Sequence, residues 1–250
     1  MRKLAYIFFV LTLVLELYSC RKSDGEPSST EIGTTTVDLD ANEGVIRKKE
    51  AVLGNLISDA VYQYFENKNE TLDFVLINGG NIRYDAQIHP TGLYPQGILT
   101  SEMVDEMLPF GNSSVIIELT GNQLKEILER SVAQYPLAKG PFLHPSKELF
   151  YQIDTTKQSQ IINIEETAII TPGNRIDSIF VNGVSYSPNG IYYALFSEYI
   201  GDGNDGYVTL KNISSSKKKY FPDFQTNALK DYIILNSPIS PKLEGRIKFN

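Results

Sequence analysis

A chain of 250 residues with 42% hydrophobic residues is long enough to bury the core of one full-sized domain. Its formal charge of −7 excludes a protein that coats nucleic acid, because such a surface needs a basic stripe to displace counterions. A small anionic ligand needs only one or two well-placed cations and is not excluded.

Residues 1–19 read as a targeting segment. Arg2 and Lys3 precede an apolar run from Leu4 to Leu17, which is short of the roughly 20 residues of a membrane-spanning helix and has the length of a signal-peptide core. The run ends in Leu17-Tyr18-Ser19-Cys20, a bacterial lipobox in form, so Cys20 is the expected lipidation site. It is the only cysteine, and no intrachain disulfide is possible. Residues 20–40 are rich in Ser, Thr, Gly and acidic side chains and read as a flexible tether. The domain is then expected over 41–250, outside the cytoplasm and lipid-anchored to the periplasmic or outer-membrane face of the envelope.

Within it, Val52, Leu53, Leu56, Ile57, Ala60, Val61, Tyr64 and Phe65 recur at helical spacing, predicting a helix over about 50–66. Leu72 to Ile77 is a continuous apolar run that suits a buried strand entering the tight loop Asn78-Gly79-Gly80. Thr100 caps a short helix ending before Pro109, and Val115 to Leu119 reads as a strand. Thr120 and Gln123 form a capping box for a helix carrying Leu124, Ile127, Leu128 and Val132 on one face. Strands follow at Leu149 to Ile153, Ile176 to Val181 and Ile191 to Phe196, with a hairpin signal at Asn182-Gly183. A helix is expected near 225–235. Helices and strands neither alternate strictly nor segregate, so the fold class is α+β, a single domain of mixed sheet and helices.

Four loop clusters carry side chains suited to ligand chemistry. Lys49-Glu50 precedes the helix that contains Leu53-Gly54-Asn55-Leu56-Ile57-Ser58-Asp59-Ala60. Asn78-Gly79-Gly80-Asn81-Ile82-Arg83 combines close backbone approach with a guanidinium fork for phosphate or ribose oxygens. In Leu108-Pro109-Phe110-Gly111-Asn112 the Phe ring either lies at a loop surface or tucks under the turn. Tyr199 to Tyr207 is rich in glycine and acid, but counted from Asp202 its Gly206 falls at position 5, and the calcium-binding EF-hand loop requires Gly at 6.

Taken in order, "LGNLISDA", "NGGNIR", "LPFGN" with "ELTGNQLKEILE", "GPFL" and "GDGNDGY" make this chain resemble the C-terminal, substrate-binding domain of the 5'-nucleotidase, UDP-sugar hydrolase and 2',3'-cyclic phosphodiesterase family. The resemblance runs from about Glu50 to Lys211 and continues weakly to Ile247. It implies that Phe110 and Tyr199 sandwich a base. It further implies that Asn78 hydrogen-bonds base or sugar, that Gly80 admits the ligand, that Arg83 faces ribose and phosphate, and that Asp205 accepts ribose hydroxyls. Lys49 stands where the family often has Arg, and Asn81 where it has a third Gly, which narrows the approach to a ligand.

The same resemblance places hydrolysis in a preceding metallophosphatase domain, where Asp-x-His, Gly-Asp-x-x-Asp, Gly-Asn-His-Asp/Glu and Gly-His-x-His motifs hold two divalent metals. The two histidines here, His89 and His144, sit in no such motif, and the matched domain starts almost directly after the tether. No catalytic residue and no cofactor is expected in this chain. The expected role is the nucleotide- or nucleoside-binding half of a phosphohydrolase in nucleotide catabolism, its two metals supplied by a separate metallophosphatase subunit. The alternatives are a nucleotide binder that does not cleave and a structural surface lipoprotein.

Overall fold

The computed structural model describes residues 29–250; the signal peptide, Cys20 and the start of the tether lie outside the described residues. The chain runs β1 (Glu31–Thr35), β2 (Leu39–Asp40), α1 (Glu43–Ile46), α2 (Val52–Asn67), β3 (Phe74–Asn78), β4 (Leu93–Tyr94), β5 (Gly97–Thr100), α3 (Ser101–Met107), β6 (Ser114–Thr120), α4 (Gly121–Val132), β7 (Leu143–Pro145) and β8 (Leu149–Ile153). It continues through β9 (Ile161–Ile162), β10 (Ile169–Thr171), β11 (Ile176–Val181), β12 (Val184–Ser185), β13 (Ile191–Ser197), α5 (Glu198–Gly201), α6 (Val208–Lys211), β14 (Lys218–Phe221), α7 (Gln225–Asn236) and β15 (Ile247–Phe249). The class is α+β, as expected.

A five-stranded sheet, ordered β14-β6-β13-β3-β7, divides the core. Successive strand side chains point to opposite faces. Val75 and Ile77 of β3 therefore pack with Leu53, Ile57, Val61 and Phe65 of α2 and with Leu229 and Ile233 of α7. Phe74 and Leu76 pack on the other side with Leu124, Ile127 and Leu128 of α4. Beyond α4 lies a four-stranded sheet, β12-β11-β8-β15, which contributes Leu149, Tyr151, Ile176 and Ile179. A strand buried on both faces must be apolar throughout, which is why Leu72 to Ile77 reads as an unbroken run.

Local signals set the element ends. Thr100 Oγ1 accepts from the Met103 N–H, and Thr120 with Gln123 makes the reciprocal capping box that starts α4. Asn182 and Gly183, between β11 and β12, both have positive φ (51° and 75°), the requirement of a two-residue hairpin turn.

The expected tether runs too far. Glu31–Thr35 pairs antiparallel with β5, and Leu39 is fully buried. Ile239 joins the same edge through hydrogen bonds to Thr34 and Thr36. The segment is polar because β1 is half exposed, and its three consecutive threonines are β-branched residues that favour an extended chain. Composition alone cannot separate such an edge strand from a linker.

The C-terminal tail is clasped to α2. Arg246, 2% exposed, donates through Nη1 and Nη2 to Asp59 at 2.8 and 2.7 Å and through Nη2 to Glu244 at 2.7 Å. Glu50 Oε1 accepts from Asn55 and from the Glu244 N–H. Much of the first loop cluster thus serves the fold rather than a ligand.

A form beginning at residue 41 loses β1 and the buried Leu39 side chain. Removing one buried Leu costs about 2–5 kcal/mol, so this form should melt about 5 °C or more below one beginning at residue 29. Equal melting temperatures in calorimetry would return residues 31–40 to the tether.

Candidate functional site

Strand pairing gathers the ligand-bearing loops. β13 is parallel to β3 and antiparallel to β6, with Ser197 opposite Ser114. β3 is antiparallel to β7, with Asn78 opposite Leu143. The loops after β3 and β13 and those before β6 and β7 therefore emerge at one end of the sheet, where a rigid scaffold holds loop side chains in place.

They enclose a cavity of about 470 Å³, within the range of small-molecule sites. Asn78, Gly80, Arg83, Phe110, Tyr199 and Asp205 all line it. Arg47, Asn81, Asn112 and Gly140 complete the wall. Phe110 and Tyr199 are 56% and 45% exposed, so both rings present faces at the loop surface and neither is a core residue.

Lys49 is the exception. It is exposed and does not line the cavity; Arg47 takes that place. The Lys49 N–H bonds to the Val45 carbonyl, continuing the helical turn after α1. Two residues on in such a turn is about 200° around the axis, so Lys49 faces away from where Arg47 points. Arg47 supplies the guanidinium fork that Lys49 lacks, and it pairs with Glu43.

The cavity wall carries charge of both signs. Arg83 lies 4.9 Å from the Phe110 ring centre and donates to the carbonyls of Gly80 and Ile82. Burial, and next the neighbouring Arg47, hold its pKa below the ordinary arginine value. Two guanidiniums that disfavour each other make a place where an anion is welcome. Opposite in character, Asp205 accepts from the Tyr199 hydroxyl at 3.0 Å, and burial followed by the Asp205 charge raises the Tyr199 pKa. Asn78 Oδ1 is a buried acceptor with no partner among the described residues.

Asn81 does not obstruct a ligand with a free side chain. Its Nδ2 donates to Gln225 at 2.8 Å and its Oδ1 accepts from Asn112 at 2.6 Å, so it ties the Phe110 loop to α7. Gly80 sits where two loops nearly touch. Its N–H bonds to the Gly140 carbonyl at 2.9 Å, and a Cβ there would lie 2.9 Å from Gly140 Cα.

Arg130 is the support that sequence reasoning missed. It is buried on α4 and donates Nε and Nη2 to the Asp205 carbonyl at 2.9 and 2.6 Å. Asp205 has φ of 58°, uncommon for a residue with a side chain, and the paired bonds hold it there. The one signal was position, since Arg130 directly follows the "ELTGNQLKEILE" motif.

The histidines lie outside any such role. His89 packs against Tyr94 with the rings tilted at 48° and 4.3 Å between their centres. His144 is wholly buried and donates Nε2–H to the Ile46 carbonyl at 2.6 Å, fixing the residue before Arg47. Among the described residues no group of three or more His, Cys, Asp or Glu side chains is placed to hold a metal ion.

Two outcomes follow from these supports. Arg130→Gln should lower stability by about 1–3 kcal/mol by leaving the Asp205 carbonyl poorly paired, and should speed amide exchange across 199–206 while sparing α2. Unaltered exchange there would show that Arg130 does not hold the loop. His144 contributes to acid sensitivity. Burial depresses its pKa to about 4 from the ordinary histidine value of 6.5, so the unfolded chain binds the proton more readily. Its stabilising contribution is complete above about pH 6.5 and is lost as pH falls towards 4. Melting curves should steepen their fall over this window, and His144→Leu should flatten it.

The 5'-nucleotidase, C-terminal domain family model matches residues 31–212. The snake venom 5'-nucleotidase of Macrovipera lebetinus is 28% identical over 88% of this chain and 52% of its own length. The 5'-nucleotidase of Mus musculus is 27% identical over 89% of this chain and 37% of its own. The solved 5'-nucleotidase precursor from Thermus thermophilus superposes with a TM-score of 0.75 at 25% identity, covering 96% of this chain and 42% of that one. This chain thus spans about half or less of these relatives' lengths. It belongs to the 5'-nucleotidase C-terminal domain family.

Proposed function

We infer that this chain is the nucleotide- or nucleoside-binding half of a 5'-nucleotidase-type phosphohydrolase acting in nucleotide catabolism. The observation that carries this reading is that one cavity joins two exposed aromatic rings, two guanidiniums and one carboxylate. Phe110 and Tyr199 offer stacking faces to a base, a contact that tolerates different bases. Arg47 and Arg83 suit phosphate or the ribose edge that bears it. Asp205 suits a sugar hydroxyl, and the unpartnered Asn78 Oδ1 suits a ligand donor. No group here is assigned a bond-breaking role.

The two relatives described above are named as 5'-nucleotidases, and the metal motifs of the family's hydrolytic domain are absent from this sequence. We place the two divalent metals on a separate metallophosphatase subunit, to which this chain presents or holds the nucleotide. We also place the chain outside the cytoplasm, lipid-anchored through Cys20. Among the described residues no helix is long and apolar enough to cross a membrane.

Calorimetry on wild-type and variant protein tests the binding reading. Phe110→Ala and Tyr199→Ala should each weaken adenosine binding by about 1–3 kcal/mol with little change in melting. A fully buried Phe would instead cost about 3–5 kcal/mol of stability. Arg83→Lys should weaken adenosine monophosphate more than adenosine, because the fork is lost while the charge stays. Absence of binding to any nucleoside or nucleotide at millimolar concentration would end this reading. The purified chain alone should release no phosphate from nucleotides with manganese, cobalt or zinc; metal-dependent turnover that survives purification would contradict the division of labour.

A further inference from the structure

Phe110 is 56% exposed, so core packing does not fix its ring. Gly111, which follows it, has φ of 58° and no atom within 4 Å of an added Cβ. A ring on such a loop is held in place through its backbone. We propose that Gln225, the first residue of α7, is a positioning residue for the base clamp. With Asn81 it pins Asn112, sets the place of Phe110 and strengthens binding, although it is buried and does not line the cavity. The inference rests on the nucleotide-binding reading above and names what holds one jaw of that site.

Three hydrogen bonds close a ring. The Gln225 N–H donates to the Asn112 carbonyl at 3.2 Å. Gln225 Oε1 accepts from Asn81 Nδ2 at 2.8 Å, and Asn81 Oδ1 accepts from Asn112 Nδ2 at 2.6 Å. Asn112 is thus gripped at both backbone and side chain, close along the chain to Phe110. Gln225 and Asn81 are 2% and 3% exposed, and a buried amide is costly to leave unpaired, so the ring resists opening. α7 is a firm base for it, because Ala228, Leu229 and Ile233 are buried in the core shared with α2. On the other flank the Leu108 N–H bonds to the Val104 carbonyl and ends α3, so only Pro109, Phe110 and Gly111 lie between two fixed points.

A base that enters a clamp whose ring is already placed does not have to order the loop, and less ordering means tighter binding. Asn81 then acts opposite to a residue that merely narrows the approach. Glycine at position 81 would widen the cavity and supply neither side-chain bond, so the wider cavity should bind more weakly. Asn81 lines the cavity, and its amide keeps a further donor and a further acceptor position for a ligand. A direct contact therefore has to be separated from action through Phe110.

Calorimetry with adenosine on the purified full chain makes that separation, with Gln225→Leu and Asn81→Gly each placed in wild-type, Phe110→Ala and Tyr199→Ala backgrounds. Each change should weaken binding about tenfold in the wild-type and Tyr199→Ala backgrounds. In Phe110→Ala each should cost no more than about twofold, because the effect runs through that ring. Gln225→Glu keeps an acceptor for Asn81 and alters only Nε2, which is buried with no partner among the described residues, so it should recover most of the loss. Amide exchange should quicken across 110–113 in Gln225→Leu and stay unchanged across 199–206. Affinity that both changes leave unaltered or raise, equal losses in Phe110→Ala, or Gln225→Glu as weak as Gln225→Leu would overturn the inference and leave the base clamp standing. Should Gln225→Leu fail to fold, Asn81→Gly carries the comparison; should Phe110→Ala bind too weakly to measure, the exchange pattern and the Gln225→Glu recovery decide. Failure of the wild-type chain to bind adenosine would instead remove the nucleotide-binding reading, and this inference with it.

Discussion

The parallel pairing of β13 with β3, flanked by antiparallel β6 and β7, is the constraint on which the site depends. It is a matter of backbone hydrogen bonding and burial, not of ligand chemistry. β3 is apolar on both faces and is therefore held between two cores. A slip of one residue in its register would exchange the two sets of side chains. Because the register is held so firmly, four loops separated widely in sequence meet at one sheet end. The cavity is a product of topology before any of its side chains is considered.

Three buried polar residues convert that convergence into a fixed geometry. Arg130 and His144 donate to the carbonyls of Asp205 and Ile46, and Asn81, itself on the cavity wall, bonds to Gln225 of α7 and to Asn112. Each is buried, and each holds a neighbour of a lining residue or the lining residue itself. Arg130 holds Asp205, Asn81 holds Asn112 in the Phe110 loop, and His144 holds Ile46 beside Arg47. Buried polar groups of this kind are costly unless satisfied, so the loops they pin have few alternative conformations. Arg47, Arg83 and Asp205 then line one cavity in fixed positions.

How far the sequence anticipates this follows from which signals are local. The helix of α2, the capping box of α4 and the Asn182-Gly183 hairpin depend on residues within one or two turns, and each forms where its pattern predicts. Residues 31–40 resemble a tether because an exposed edge strand of threonines has the composition of a linker, and its partner β5 lies some sixty residues on. Motif position singles out Lys49, whereas the direction of a side chain on a helical turn favours Arg47. Arg130 escapes notice for a related reason. Its target is a carbonyl 75 residues away in sequence, and no periodicity marks such a partner. The ordered motifs locate the loops well; they do not separate residues that face the cavity from residues that brace it.

The central claim is that the two loop aromatics form one site for a base. A crystal structure of the protein grown with adenosine monophosphate tests this most directly. The purine should lie between the Phe110 and Tyr199 rings, its sugar against Asp205 and its phosphate near Arg47 and Arg83. Phosphate held by the arginines with the base pointing away from both rings, or the nucleotide bound elsewhere on the molecule, would contradict it.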